Sequence, residues 1–272
     1  MSWDIGVMLW RIGDILDLDA QLDWARDAGF EAIAFHASPG VPGQWRGVDP
    51  AVTGRTERRR LRGRLAEFSM CEIHAPFAAA LSPQEPFAAV RQLTPIIEFS
   101  GDVEASVITV HPRAANRVPE EHGDRWQEAL DRLDAMAEKA GVVIAFETLE
   151  DFEGFDWVKS PRRPHLGVNL DVGHVCLGNS PAYRSCGTIG ALVRSLGETL
   201  VHMHVHDCRP GGPDHIEVGT GSVDFADLLR ILQEIQYQGA MVLELNPDRV
   251  SPEAILRSRR WLKSKMRGLC TG

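Results

Sequence analysis

Short apolar segments recur along the chain at intervals that leave room for a helix between most neighbouring pairs. They begin near Ile5, Glu31, Met70, Ser106, Val142, Leu166, Val201 and Met241, and each has the length of a buried strand. Helical patterning between them is clearest over 19–28, 120–140 and 224–238. These stretches open near acidic residues and stop at Gly29, Gly141 and Gly239, as capping chemistry favours. Strands alternating with helices specify a parallel sheet, and eight such units specify a closed (β/α)8 barrel.

Successive strand residues face opposite ways. In VVIAFE, Glu147 therefore shares a face with Val143 and Ala145, while Val142, Ile144 and Phe146 face the helices. The same count groups Gly167 and Asn169 with Asp171, and Val242 with Glu244. His202, His204 and His206 fall on one side of the seventh segment and Val201, Met203 and Val205 on the other. The inward faces are the smaller or more polar ones. Because barrel strands all run the same way, their C-terminal ends meet at one mouth, where barrel enzymes keep their active sites.

Four segments carry a metal-binding residue at or near that end: Glu147, Asp171, His204 and Glu244. An ionised carboxylate closing an apolar strand costs several kcal/mol unless it is paired or bound to a metal. A single carboxylate in this position is equally well explained as a helix cap or an arginine partner. Three of them with one imidazole point to one divalent-metal site, suited to Mn2+, Mg2+ or Co2+ and open to Zn2+. His74, His111, His174 and His215 form a second set, expected to add ligands or to touch substrate. His174 follows Asp171 by three residues, so a helical turn starting there would turn both to the mouth. Glu72, His36, His202 and His206 also face inward and are expected to be structural. Residues 36–53 offer Trp45 and Arg46, and residues 149–164 offer Phe152, Phe155, Trp157 and Lys159. Aromatic faces pack on sugar rings and cations bind phosphate or carboxylate, unless these are ordinary surface loops with an aromatic tucked beneath.

Composition narrows the classes. A chain of 272 residues, 44% hydrophobic and 25% charged, suits one domain over 1–272, since single α/β barrels run to about 250 residues. No Pro/Gly/Ser-rich linker or short repeat divides it. The opening MSWDIGVMLW is soon followed by Arg11 and Asp14, unlike a signal peptide, and no window approaches the roughly 18 apolar residues of a membrane span. A soluble cytoplasmic protein without a membrane partner is expected. Cys71, Cys176, Cys186, Cys208 and Cys270 lack CxxC spacing and read as reduced thiols. A formal charge of −9 weighs against nucleic acid as a partner. The run Arg55, Arg58, Arg59, Arg60, Arg62 and Arg64 reads as a solvated helix face. Trp261, expected to be exposed, would contribute to a homo-oligomer contact.

DVGH at 171–174, H-x-x-D at 204–207, the stretch from His215 through Gly219, Thr220 and Gly221 to Phe225, and YQGAMVLEL from Tyr237 resemble the xylose-isomerase-like barrel superfamily. That group includes sugar phosphate isomerases and epimerases and AP endonuclease family 2, the endonuclease IV type. The resemblance covers nearly the whole barrel and is specific for the superfamily, not for one reaction. For the isomerases and ketose 3-epimerases it implies one divalent metal on Glu147, Asp171, His204 and Glu244. It also implies a substrate contact from His174 and, beyond the metal histidine, an arginine for which Arg209 is the candidate. For the endonuclease branch it implies three zinc ions on His74, His111, Glu147, Asp171, His174, His204, His215 and Glu244. That branch also uses an aspartate two residues before the histidine matching His215. Here that position is Pro213, with Asp214 displaced by one.

The leading expectation is a metal-dependent isomerase or epimerase of a sugar, sugar phosphate or inosose, with a small-molecule sugar or sugar acid as its partner. Its metal would stabilise an enediolate while Glu147 and Glu244 move the proton. A dehydratase or lyase on the same intermediate, a zinc-cluster phosphodiesterase, and a barrel kept only for binding are the other readings.

Overall fold

The computed structural model describes residues 3–113, 123–158 and 162–269. Eight parallel strands close in chain order, with the last bonded to the first. They are β1 (Ile5–Met8), β2 (Ala32–His36), β3 (Met70–His74), β4 (Val107–Val110), β5 (Val143–Glu147), β6 (Leu166–Asp171), β7 (Leu200–Val205) and β8 (Met241–Leu243). Each begins within one residue of the position read from the apolar pattern. Around them lie α1 (Leu18–Asp27), α2 (Arg55–Leu65), α3 (Pro86–Asp102), α4 (Gly123–Ala140), α5 (Val172–Cys176), α6 (Pro181–Cys186), α7 (Ile189–Leu196), α8 (Phe225–Glu234) and α9 (Pro252–Leu269).

Strand alternation divides the interior as expected. Outward residues such as Ile33, Phe35, Ile73, Ile144, Phe146 and Met203 join the large cluster beneath the helices. Inside the barrel, Met8, Ala34 and Val242 form a small apolar floor with Met70 and Trp10 against them. Toward the C-terminal ends of the strands the interior turns polar: Glu72, Thr109, Asn169 and His202 are all buried. Asn169 Nδ2 donates to Thr109 Oγ1 at 3.3 Å.

Two expectations are corrected and one is qualified. The helix read as 224–238 is α8, capped by the Asp224 carboxylate, and it stops at Glu234. Gln236 takes the left-handed conformation at φ 56°, and the Tyr237 N–H bonds back to the Leu232 carbonyl. A glutamine therefore makes the turn that was assigned to Gly239. Second, the arginines of α2 form a largely solvated face, with Arg55, Arg59, Arg60 and Arg62 exposed, but four of the six are also paired. Arg60 reaches Asp19 at 2.7 Å, Arg64 reaches Asp23 at 2.7 Å, Arg58 reaches Asp102 at 2.8 Å and Arg62 pairs with Glu104. These pairs tie α2 to its neighbours and offset part of the charge, although exposed pairs are each worth at most about 1 kcal/mol. Third, Trp261 is half-buried and not exposed, packed on Phe225 with ring centroids 5.5 Å apart.

The stretch read as helix from 120 ends at Ala140 as expected, and residues 120–122 lie outside the described residues. Cys71, Cys176 and Cys208 are buried free thiols and Cys186 is a half-buried one; Cys270 lies outside the described residues. Among the described residues no helix is long and apolar enough to cross a membrane.

Candidate metal centre

Register brings the four strand-end residues together. Asp171 pairs with His204 across β6 and β7, His204 pairs with Val242 across β7 and β8, and Glu147 pairs with Asn169 across β5 and β6. Glu244 follows β8 directly. One donor atom from each of Glu147, Asp171, His204 and Glu244 lies within 4.8 Å of the others, and all four residues are buried. His204 Nδ1 stands 2.9 Å from Glu147 Oε1 and 2.8 Å from Glu244 Oε2.

Three buried carboxylate oxygens, Glu147 Oε2, Asp171 Oδ2 and Glu244 Oε2, have no hydrogen bond. Imidazole nitrogens stand near them but off the line that a hydrogen bond needs. Unsatisfied anionic oxygens at this depth are costly, and a divalent cation between them removes the cost. The donor set of three carboxylates and one imidazole therefore fits a hard or borderline cation.

The three carboxylates are charged before metal arrives, and His204 would give up a proton to become a ligand. Burial pushes the Glu147 carboxyl up, but His111 and His204 outweigh it and hold it well below the usual range. Burial likewise opposes ionisation of Asp171, and His174 and His206 overcome it. Glu244 is lowered against burial by His204. For His204, burial favours the neutral ring, but Glu244, Glu72 and Glu147 hold its pKa well above the ordinary value.

Several residues expected to be structural touch these ligands. Glu72 Oε1 lies 2.8 Å from His204 Nε2, and Glu72 Oε2 lies 2.7 Å from His202 Nε2. The His215 backbone N–H donates to His206 Nδ1 at 2.8 Å. The other ring nitrogen, Nε2, lies 2.9 Å from Asp171 Oδ1. The same Oδ1 accepts the His174 N–H at 2.7 Å and so caps α5, which is the helical turn expected after Asp171. The approach of α5 to β7 requires Gly173, where a Cβ would stand 1.9 Å from His206 Cε1.

The second histidine set divides into two groups. His111 Nε2 is 2.5 Å and His74 Nε2 is 3.4 Å from Glu147 Oε2. On the other side His174 Nδ1 is 3.8 Å from Asp171 Oδ2, and His215 Nε2 is 3.9 Å from Glu244 Oε2. His215 adopts φ 48°, a left-handed backbone. Asp214 reaches the outer edge of the second group despite its displaced position: its Oδ2 is 3.3 Å from His215 Nδ1 and 4.0 Å from His174 Nε2. Arg249 holds the other Asp214 oxygen at 3.0 Å.

Above this floor opens a cavity of about 620 Å3 lined by Trp10, His36, Trp45, His74, Phe77, His111, Glu147, Leu149, Glu150, Asp151, His174, His215 and Glu244. Trp45 is placed as expected. Trp10 and Phe77 were not anticipated; both lie just beyond strands β1 and β3, a position that by itself marks the mouth. Arg209 is not among the lining residues. It is exposed and its Nη2 donates to the Thr220 carbonyl at 3.1 Å. Phe152 and Phe155 are buried in the outer core, and Trp157 packs edge-on against Trp126 and Phe146. These aromatics support the loop and do not face the cavity. Arg46 is exposed, and Lys159 lies outside the described residues.

His36 sits at the cavity edge with its ring 4.6 Å from that of His74 and 4.9 Å from that of Trp45. Burial first, then the charge on His74, pushes its pKa down to about 3. The unfolded chain takes up a proton here below about pH 6.5 and the folded chain does not until about 3. This residue therefore removes stability as pH falls through that window. Denaturation of metal-free protein at pH 7 and pH 5 should show a larger loss for the wild type than for His36→Gln; equal losses would rule out a buried neutral His36.

The fold has wide company. A D-tagatose 3-epimerase-like protein of known structure superposes with a TM-score of 0.70 at 21% identity, covering 97% of each chain, a likeness of fold. In sequence, the chain is 28% identical over 193 residues to the uncharacterized protein MJ1311 of Methanocaldococcus jannaschii, covering 63% of each. It is 27% identical over 136 residues to D-psicose 3-epimerase of Enterocloster bolteae, covering 46% of this chain and 41% of that one. These matches span less than two thirds of the relatives' length. The profile of the xylose isomerase-like TIM barrel family matches residues 22–265, almost the entire barrel, and the chain belongs to that family.

Proposed function

We propose that the protein is a metal-dependent isomerase or epimerase of a small sugar, working in the cytoplasm. The observation that carries this reading is the convergence of three buried carboxylates and His204 within ligand distance of one another, two of them, Glu147 and Glu244, lining an open cavity. Glu147, Asp171, His204 and Glu244 would hold one divalent cation, which when bound polarises a carbonyl and an adjacent hydroxyl and stabilises the charge left by proton removal.

The chain's own groups do the rest. Glu147 and Glu244 meet at His204 from β5 and β8, and both are ionised, so either can accept a proton from carbon next to a carbonyl. Return by the same carboxylate on one face gives isomerisation; removal by one and return by the other gives epimerisation. His111, at 2.5 Å from Glu147 Oε2, steers the Glu147 carboxylate. Trp10, Trp45 and Phe77 offer the flat apolar surfaces that sugar rings pack on. Among the described lining residues there is no Lys or Arg, which favours an uncharged sugar over a phosphate ester. The epimerase names carried by relatives support the same chemistry.

A second reading keeps one specific support: Asp214 approaches His174 and His215, as an additional metal site would require. Elemental analysis of protein purified without chelator or metal-binding tag separates the two. About one Mn, Co, Mg or Zn per chain, with conversion of a ketose in a substrate screen, is expected. Two or three zinc ions per chain, with cleavage of abasic DNA, would replace the isomerase by a phosphodiesterase.

A further inference from the structure

Glu72 lies on β3 below the cavity, fully buried and absent from its lining. It cannot touch substrate. Both its oxygens are engaged by imidazoles: Oε1 is 2.8 Å from His204 Nε2, and Oε2 is 2.7 Å from His202 Nε2. His204 presents its other nitrogen, Nδ1, to Glu147 and Glu244 at 2.9 Å and 2.8 Å.

A neutral imidazole has one lone pair available to a metal, and the hydrogen bond made by its other nitrogen decides where that lone pair points. An ionised carboxylate can only accept. Facing Glu72, His204 Nε2 keeps its proton, and Nδ1, which faces Glu147 and Glu244, is the nitrogen left to exchange its proton for a cation. His202 stands two residues earlier on the same face of β7 and holds the second Glu72 oxygen, so the carboxylate cannot rotate away from His204. His202 and His204 rings meet edge to face, with centroids 5.5 Å apart, which fixes both planes.

We propose that Glu72 is a positioning residue of the metal centre: it locks His204 in the Nε2–H tautomer, aims Nδ1 at the cation and raises the donor strength of that nitrogen. This inference rests on the metal-dependent reading above. Loss of such an outer hydrogen-bond partner typically weakens metal binding by about 10- to 100-fold. Glu72→Gln nearly preserves shape, but its one carbonyl oxygen can serve only one of the two imidazoles while its NH2 confronts the other.

The test is titration of metal-free protein with Co2+, following affinity and the visible Co2+ spectrum together. The expected result is a Kd raised about 10- to 100-fold in Glu72→Gln, with an altered spectrum and an unchanged far-ultraviolet circular dichroism spectrum. Glu72→Asp carries the same expectation, because it keeps the charge yet withdraws the oxygens by a methylene. If either folded variant binds Co2+ within twofold of wild type with the same spectrum, the positioning role is overturned. If the wild type itself binds no Co2+, Mn2+ or Zn2+, the metal-site reading falls, and this inference with it.

Discussion

Replacing Glu147 by glutamine is expected to lower turnover of an identified sugar by about 10²- to 10⁴-fold while leaving the barrel folded. Glutamine has nearly the same shape but cannot accept a proton from carbon. The side chain is buried at the end of β5, with Oε1 beside His204 and Oε2 beside His111 and His74. Those imidazoles keep the carboxylate ionised despite its burial, the state that a base requires. Because Glu147 is also a candidate ligand, metal content has to be measured on the same sample. Lost turnover with metal retained assigns it proton transfer, lost turnover with lost metal assigns it ligation alone, and full turnover removes it from the mechanism. Glu244→Gln separates the two reactions further. If the protein is an epimerase, each single variant should stop interconversion while one of them still exchanges the substrate proton with deuterated water, since one carboxylate per face remains. Isomerisation through a single carboxylate would instead leave one of the two variants active.

What could be read in the sequence, and what could not, follows from how the relevant information is stored. Strand ends were legible because alternation is local: counting by two from Val143 places Glu147 inside, and parallel order carries it to the same mouth as Asp171, His204 and Glu244. The roles of Glu72 and His202 were not legible. A buried polar residue on an inward face has no sequence signal that separates a satisfied core group from a partner of a metal ligand; only the cross-barrel distance from β3 to β7 does. Arg209 was misplaced because spacing from a histidine says nothing about how the following loop turns, and here that loop directs it to Thr220. Phe152, Phe155 and Trp157 stayed open between a binding wall and a tucked-under loop because loop aromatics look alike whether they face a cavity or a core. Asp214 illustrates the converse: a one-residue displacement in sequence is absorbed by the left-handed backbone at His215.

The second large effect is expected at Asp207, which anchors the loop beside the metal centre. This buried carboxylate accepts four backbone N–H groups from one loop. Oδ1 takes those of Cys208 at 2.9 Å and Val223 at 3.1 Å, and Oδ2 takes those of Gly219 at 2.9 Å and Gly221 at 2.8 Å. The loop is thus wound around a single anion, and Gly221 is required because a Cβ there would fall 2.2 Å from Asp207 Oδ1. Hydrogen bonds to a charged acceptor are among the stronger ones, but Gly219 and Gly221 are exposed, so water can recover part of the loss. Asp207→Ala should therefore cost roughly 2–4 kcal/mol, seen as a Tm about 5–10 °C lower. Asp207→Asn, with one acceptor oxygen in place of two, should fall between. The loop also carries Asp214 and His215, and the His215 N–H donates to His206 Nδ1, whose other ring nitrogen lies 2.9 Å from Asp171. Metal affinity should accordingly drop with stability in Asp207→Ala, and a high concentration of Co2+ should restore part of the lost Tm, because a ligand that binds only the folded state stabilises it. A variant whose Tm stays within about 2 °C of wild type, which for a chain of this size corresponds to less than about 1 kcal/mol, would show that the four N–H groups are served as well by water. The loop would then owe its shape to Gly219 packing on Trp261 and not to the anion at its centre.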